Sequence, residues 1–201
     1  HRDLHSFPTR RSSDLATTDA RMIAVDALTG ERCIRFGDLG EINLTTNMGN
    51  DPLIFNFQTS PPGIVRGNAV VGGWVFDNQS VGEPSGVVRA FNAISGEFAW
   101  AWDMARPGIH TEPLRGEVYT RGTPNVWSLF SVDEELGLIY APTGNETLDY
   151  FGGYRMEDRK STRLNLSHVK RPRMPSSARK NKQHTFLLLS SSLNSSHPFT
   201  Y

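Results

Sequence analysis

One short phrase occurs twice in this 201-residue chain, and the repetition limits the folds available to it. Residues 24–30 read AVDALTG, and residues 90–96 read AFNAISG, 66 positions further on. The second copy continues to Trp100, whereas the first has Ile34 at the corresponding place. Asp or Asn followed by Thr or Ser and then Gly favours a tight turn between strands. A repeated unit of this kind, with an aromatic residue at a set distance after the turn, is typical of consecutive β-propeller blades.

Turn signals elsewhere divide the chain into short strands. A strand is predicted over residues 22–26, and hairpins are predicted over residues 64–75, 87–102 and 127–142. No stretch keeps the period of an amphipathic helix for three turns. The prediction is an all-β core.

The formal net charge of zero conceals two unlike regions. Residues 16–158 hold 19 Asp and Glu, nine Arg and no Lys, so this region has a net charge of −10. Residues 159–201 hold nine Lys and Arg, nine Ser, and no Asp, Glu or Gly. A segment of that composition does not bury enough apolar surface to fold. We therefore expect residues 159–201 to be disordered and to lie outside the domain.

The amino-acid sequences of the two ends also set them apart from residues 16–158. Residues 1–15 (HRDLHSFPTRRSSDL) and 160–177 (KSTRLNLSHVKRPRMPSS) resemble translated sequencing-adapter or vector read-through. We expect residues 1–15 and 159–201 to be non-native, which leaves residues 16–158 as part of a β-propeller domain. The alternative is a native basic tail that binds nucleic acid, but basic residues interleaved with aromatic rings on one face are absent. No nucleic-acid partner is predicted.

Cysteine and histidine are scarce in residues 16–158, which limits the kinds of catalytic and metal site that this region can form. Cys33 is the only cysteine, which excludes an internal disulfide and a multi-cysteine zinc site. His110 is the only histidine in residues 16–158, which argues against a His-dependent hydrolase and against a cluster of histidine ligands. Residues 71–100 and 121–153 instead alternate hairpins with loops that carry acids, amides and aromatic rings. These two segments are predicted to form one site.

Four longer phrases carry a resemblance to a known family: TSPP (59–62), GGWVFDNQSVGEPSGVVRAF (72–91), GTPNVW (122–127) and APTGNETLDYFGG (141–153). They resemble the membrane-bound quinoprotein dehydrogenases that use pyrroloquinoline quinone (PQQ) and oxidise glucose, quinate or shikimate. Residues 90–100 are similar to the tryptophan docking motif of these eight-bladed propellers. The resemblance covers about residues 17–157.

The resemblance implies a fold and a cellular setting. We expect an all-β fragment of roughly two propeller blades from an enzyme that oxidises a sugar or cyclic polyol and passes electrons to ubiquinone. Members of this branch face the periplasm from the bacterial inner membrane, to which an N-terminal domain attaches them. That membrane domain is expected to be absent from the present chain.

The resemblance also assigns roles to five residues. Trp127 matches the tryptophan on which the PQQ ring stacks. Asp77, Asn78 and Thr147 match residues proposed to hold the metal, Ca²⁺ or Mg²⁺, and these cations prefer oxygen ligands. Asn145 matches the amide ligand of soluble alcohol-oxidising relatives, and the sequence does not choose between Asn145 and Thr147.

The residues alone permit less specific interpretations. Trp127 is also suited to core packing, and the Asp77–Asn78 pair to an Asx turn. Glu83 lies near a glutamate ligand of the soluble relatives, but its spacing to Gly86 and Arg89 differs, so it is left out of the predicted set. In the family the aspartate base and a lysine that contacts the quinone come from blades C-terminal to the TGNET loop. No catalytic residue is therefore assigned, and we expect the chain by itself to be inactive.

Two other functions remain open. One is a soluble periplasmic PQQ-dependent alcohol dehydrogenase, and the other is a non-enzymatic β-propeller that serves as a binding platform. The TSPP and GGWVFDNQS phrases favour the membrane-bound branch over the soluble one. A binding platform has no need for FDN and TGNET loops on either side of the NVW tryptophan.

Overall fold

A computed structural model describes residues 12–148, Tyr150 and the backbone of residues 185–190. Almost all regular structure in these residues is β-strand, which confirms the predicted all-β class. A 3-10 helix at Leu53–Phe55 is the single helical turn in the described part of the chain. The strands are β1 (Ser12–Ala16), β2 (Arg21–Asp26), β3 (Glu41–Asn43), β4 (Asn56–Phe57), β5 (Gly63–Val65), β6 (Asn68–Val71), β7 (Trp74–Val75), β8 (Val88–Asn92), β9 (Phe98–Trp102), β10 (Ser131–Asp133), β11 (Leu138–Thr143) and β12 (Thr185–Ser190).

The central sheet has the form of one complete propeller blade. Its four antiparallel strands follow the order β5-β6-β8-β9, and three-stranded sheets β1-β2-β3 and β10-β11-β12 accompany it. Strands β4 and β7 form a separate two-stranded ribbon, in which β4 precedes β5 along the chain and β7 lies between β6 and β8. The prediction of a partial β-propeller is confirmed, with one whole blade and parts of two others in the described residues.

The repeated phrase builds the same turn twice. Asp26 and Asn92 each accept, through a side-chain oxygen, the N–H groups of the residues two and three positions later, at 2.8 to 3.0 Å. Gly30 and Gly96 then adopt left-handed φ values of +73° and +74°, which glycine permits at little cost. Each glycine donates its N–H at 2.8 Å to the carbonyl of the Asp or Asn that began the turn.

The two copies diverge after this turn. Trp100 lies in β9 and is only 4% exposed, whereas Ile34 is 71% exposed. In the first copy Arg32 forms an isolated β-bridge with Val25 of β2, and the chain then turns away from β2. Phe36, two positions beyond Ile34, is fully buried in the same cluster as Phe91 of the central sheet. An aromatic ring therefore packs towards the next sheet in both copies, but at different sequence positions.

The central sheet is buried on both faces, as a propeller blade requires. Side chains on β6 alternate between the two faces, so that Val70 and its neighbours Ala69 and Val71 enter different clusters. One cluster joins the central sheet to β11: Val65, Val70, Val88, Ala90, Trp100, Trp102, Val126, Ile139 and Ala141. The other joins it to the first sheet: Ala20, Met22, Ala24, Phe36, Leu44, Ala69, Val71, Phe91 and Ala93.

Strands also occur in the two segments that were expected to lie outside the domain. Strand β1 includes Ser12–Leu15 and pairs along its whole length with β2. Strand β12 pairs over six residues with β11. Sheet pairing uses main-chain groups, and an open sheet edge therefore accepts an extended segment of almost any sequence. The remaining residues of 1–11 and 159–201 lie outside the described part, and the non-native origin of both ends stays a prediction.

One predicted hairpin is shorter than expected. Strand β10 begins at Ser131 rather than near residue 127, which leaves Trp127 in the loop before it. No helix in the described residues is long and apolar enough to span a membrane.

Candidate functional site

Three loops converge beside the central sheet, and they come from the two segments that were predicted to share a site. The 77–83 loop follows β7, the 121–127 segment precedes β10, and the 144–150 loop follows β11. Gly122 connects the first two, because its N–H donates to the Glu83 carbonyl at 2.9 Å. Gly122 also accepts the N–H of Thr147 at 3.2 Å, and the Gly144 N–H donates to the Asn125 carbonyl at 2.7 Å. Main-chain hydrogen bonds thus hold all three loops together.

Asp77 and Asn78 lie half-buried at the start of the 77–83 loop. Asn78 adopts a left-handed φ of +69°, a conformation that Asn tolerates better than most residues. Its side-chain oxygen accepts the N–H of Tyr150 at 3.1 Å and so links this loop to the 144–150 loop. The Asp77 carbonyl accepts a hydrogen bond from Nε2 of Gln79 at 3.1 Å.

Thr147 and Asn145 differ in how deeply they are buried. Thr147 is 6% exposed, and its hydroxyl donates to the Val81 carbonyl at 3.2 Å. The hydroxyl oxygen therefore lies at the junction of the loops, with lone pairs that its own donated hydrogen bond does not use. Asn145, two residues earlier, is exposed to solvent.

Trp127 is not a core residue. Its side chain is 48% exposed, compared with 4% for Trp100 in the blade core. The Trp127 carbonyl accepts hydrogen bonds from the hydroxyls of Thr59 at 2.6 Å and Ser60 at 2.8 Å. The backbone of this tryptophan is therefore anchored while much of the indole ring remains accessible. An accessible ring on an anchored backbone is suited to stacking against a flat molecule.

Two glycines allow the backbone before Trp127 to lie directly on the blade. A Cβ atom on Gly86 would be 2.0 Å from the Pro124 carbonyl oxygen, and one on Gly72 would be 2.2 Å from the Val126 carbonyl oxygen. Neither separation is possible for a real side chain, so only glycine fits at these positions. The glycines occur in the quoted GGWVFDNQSVGEPSGVV phrase, but the sequence alone did not show what approaches them.

Glu83, which is not in the predicted ligand set, provides a buried carboxylate. The residue is 2% exposed, and its Oε1 accepts the N–H groups of Gln79 and Ser80. Its Oε2 has no hydrogen-bond partner among the described residues. A buried carboxylate oxygen without a partner is costly, and a hard cation is one group that satisfies it.

The side chains at the loop junction fit a hard cation by their donor chemistry. Within the described residues, no group of three or more His, Cys, Asp or Glu is arranged to hold a metal ion. The predicted donors instead combine the Asp77 carboxylate with the amide oxygen of Asn78 and the hydroxyl oxygen of Thr147. Such an all-oxygen set matches the preference of Ca²⁺ or Mg²⁺.

Comparison with known proteins identifies the family of this chain. The family model "PQQ: Glucose/ethanol/alcohol dehydrogenase, beta-propeller domain" matches residues 6–163. The glycerol dehydrogenase large subunit of Gluconobacter oxydans (strain 621H) is 46% identical over 139 residues, which are 69% of this chain and 19% of that protein. The quinate/shikimate dehydrogenase (quinone) of Acinetobacter baylyi is 37% identical over 140 residues, which are 69% of this chain and 17% of that protein.

Quinoprotein glucose dehydrogenase A of Acinetobacter calcoaceticus is also 37% identical, over 142 residues that make up 69% of this chain and 17% of that protein. The chain thus spans less than a fifth of the length of these curated relatives. The resemblance to the quinoprotein dehydrogenases is confirmed. With a matching blade architecture and a family model that covers most of its length, the chain belongs to the β-propeller family of PQQ-dependent glucose, ethanol and alcohol dehydrogenases.

Proposed function

We propose that this chain forms one wall of the active site of a PQQ-dependent dehydrogenase that oxidises a hydroxyl group of a sugar or polyol. The observation that carries the proposal is the half-exposed Trp127 ring on an anchored backbone, beside a junction of three loops rich in oxygen donors. The names of the relatives suggest the substrate range: glycerol as an acyclic polyol, glucose as a sugar, and quinate or shikimate as a cyclic polyol.

The residues of the wall divide into two groups by role. Trp127 offers its ring as the surface on which PQQ stacks, and Asp77, Asn78 and Thr147 hold Ca²⁺ or Mg²⁺. PQQ, when bound, supplies the acceptor for the two electrons removed from the alcohol. The residues of this chain position the cofactor ring and the cation. They also shield one side of the ring and one side of the cation from water.

Burial favours Thr147 over Asn145 as the third metal ligand. The Thr147 hydroxyl lies at the loop junction, whereas Asn145 is exposed to solvent. A buried ligand loses less order when the cation binds, because neighbouring groups already hold it. Since Asn145 is the position that matches the soluble alcohol dehydrogenases, this difference also favours the membrane-bound branch over the soluble alternative. An exposed, anchored Trp127 similarly favours a cofactor site over a plain binding platform.

The wider setting follows from the same family relationship. We propose that the complete enzyme acts at the periplasmic face of the bacterial inner membrane, attached through an N-terminal membrane domain, and that ubiquinone accepts its electrons. No catalytic base is assigned in the described residues. We therefore propose that the 201 residues by themselves do not turn over glucose or quinate, and PQQ-dependent dye reduction by the purified chain would contradict this.

The metal assignment is tested by Asp77→Ala in the complete enzyme that contains these residues. Removal of this ligand is expected to raise at least about tenfold the Ca²⁺ or Mg²⁺ concentration needed to restore activity to the apoenzyme with PQQ. Asp133→Ala is the control, because its carboxylate caps the distant β10–β11 turn through the Leu136 N–H. An unchanged metal titration for Asp77→Ala would refute the assignment.

The stacking role is tested separately. Trp127→Ala is expected to weaken PQQ retention, measured as the cofactor left on the protein after gel filtration. Leu129→Ala removes a neighbouring side chain that is 62% exposed and is expected to retain PQQ normally. Equal retention by the two variants would contradict the stacking role.

A further inference from the structure

Arg121 makes a forked ion pair at the edge of the loop junction. Its Nη1 and Nη2 atoms donate to the two carboxylate oxygens of Asp51, at 2.6 and 2.9 Å. The two side chains are 35% and 28% exposed. The fork fixes the orientation of the guanidinium, because two parallel hydrogen bonds leave it little freedom to rotate. The Arg121 guanidinium also holds the pKa of the Asp51 carboxyl below its usual value, so the pair stays charged in neutral solution.

The third donor of the same guanidinium reaches the predicted metal loop. Arg121 Nε donates to the Gly82 carbonyl at 2.7 Å. The next residue along the chain, Gly122, donates its N–H to the Glu83 carbonyl at 2.9 Å. Arg121 and Gly122 therefore hold two consecutive carbonyls of the 77–83 loop. Gly122 also accepts the Thr147 N–H, which brings the third loop into the same arrangement.

The outer part of the 77–83 loop is exposed to solvent. Gln79, Ser80, Val81 and Gly82 are exposed, and a Cβ on Gly82 would have no atom within 4 Å. Segments with few buried apolar contacts open easily. The order of this loop thus depends on polar contacts, among them the Arg121 and Gly122 hydrogen bonds, the Thr147 hydroxyl on the Val81 carbonyl and the Glu83 carboxylate.

We propose that Arg121, oriented by Asp51, is a positioning residue for the metal site: it holds the loop that carries Asp77 and Asn78 at a set distance from Thr147. The inference rests on the proposed function, because it takes those three residues as the cation ligands. A cation site binds tightly when its oxygens are already in place before the ion arrives, since the ordering of a loose loop otherwise opposes binding. Lysine does not replace this arginine, because a single ammonium group does not reproduce the fork together with the Nε donor.

The experiment measures metal binding without catalysis. Tb³⁺ is titrated into the complete apoenzyme in the absence of PQQ and substrate, and its tryptophan-sensitised luminescence gives a dissociation constant. Arg121→Gln is expected to raise that constant about tenfold, the lower end for residues that orient metal ligands. Arg121→Lys is expected to recover only part of the loss. Asp51→Asn keeps the Arg121–Gly82 hydrogen bond and is expected to have a smaller effect in the same direction.

Arg21→Gln serves as the matched control. The Arg21 side chain is also 35% exposed and pairs with Asp19 and Glu41, but on the first sheet and away from the loop junction. Its variant is expected to bind Tb³⁺ as the parent enzyme does. If Arg21→Gln weakens binding as much as Arg121→Gln, the effect is general destabilisation and the inference is overturned.

Two further outcomes distinguish this inference from the proposed function. If Arg121→Gln and Asp51→Asn bind Tb³⁺ like the parent enzyme while Asp77→Ala binds weakly, the positioning role is wrong and the metal assignment stands. If Asp77→Ala also binds normally, the metal assignment itself fails. Should Arg121→Gln not fold, as judged by its circular dichroism spectrum, Asp51→Asn decides the question alone.

Discussion

Gly86→Ala is expected to displace the segment that carries Trp127 and thereby weaken PQQ binding. The added Cβ would lie 2.0 Å from the Pro124 carbonyl oxygen, 2.3 Å from its carbonyl carbon and 2.6 Å from the Asn125 nitrogen. Comfortable contacts between heavy atoms begin near 3.4 Å, so the segment must move by roughly 1.4 Å. The obstructing atoms belong to the backbone, and no side-chain rotation relieves the contact.

The free energy of this displacement is estimated from the contacts that it strains. Insertion of atoms into a close-packed site destabilises proteins by about 1 to 3 kcal/mol, which corresponds to roughly a 5- to 150-fold change in the unfolding equilibrium. The movement also strains the hydrogen bond from the Gly86 N–H to the Thr123 hydroxyl, which measures 2.9 Å. Because the Trp127 carbonyl is anchored separately by Thr59 and Ser60, the indole ring is expected to tilt rather than to translate with the segment.

The assay compares Gly86→Ala with Gly82→Ala in the complete enzyme. Gly82 lies four residues earlier, and a Cβ there would meet no atom within 4 Å. Urea denaturation gives the stability of each variant, and titration of the apoenzyme with PQQ gives the affinity. We expect Gly86→Ala to lower both, with at least about a tenfold loss of PQQ affinity, and Gly82→Ala to change neither. Equal behaviour of the two variants would refute the close approach of the 121–127 segment to the blade.

Two further predictions concern the blade itself and use the complete enzyme. Trp100→Ala is expected to lower the free energy of unfolding by about 3 to 5 kcal/mol, because the residue is 4% exposed. Ile34→Ala, at the equivalent place in the first repeat but 71% exposed, is expected to change it by less than about 0.5 kcal/mol. Urea denaturation measures both, and equal losses would contradict the divergence of the repeats. Burial raises the pKa of Tyr119 to about 12, so the stability linked to its protonated form is present below pH 10 and is lost as the pH rises towards 12. Tyr119→Phe should therefore lose less stability than the parent between pH 9 and 11.5, by of order 1 kcal/mol, and an identical alkaline profile would show that this tyrosine is not buried.

The sequence predicted the local structure well where neighbouring residues decide it. The turn after Asp26 and the turn after Asn92 share the same side-chain caps and the same left-handed glycine, because every group involved lies within five positions along the chain. The resemblance to the quinoprotein dehydrogenases was equally readable. It rested on long phrases such as GTPNVW and APTGNETLDYFGG rather than on any single spacing.

The prediction was weaker wherever a residue's role depends on a partner far away along the chain. Arg121 and Asp51 are 70 positions apart, and neither stands out by its sequence context. Glu83 was set aside for its spacing, yet it is buried with one carboxylate oxygen lacking a partner among the described residues. Composition does not report on the β11–β12 pairing, because composition describes side chains, whereas edge pairing depends on the backbone.

The sequence by itself determined the all-β class, the repeated turn, the family and the residue types available for a cofactor and a cation. Only the tertiary structure decided which aromatic residues are buried and which are accessible. Trp100 and Trp127 are the same residue type, yet one is enclosed between two sheets and the other is half-exposed beside the loop junction. Burial depends on what lies opposite a side chain in space, and the repeated phrase alone does not contain that information. Phe36 illustrates this, since it fills the inter-sheet position that the repeat had placed at Ile34.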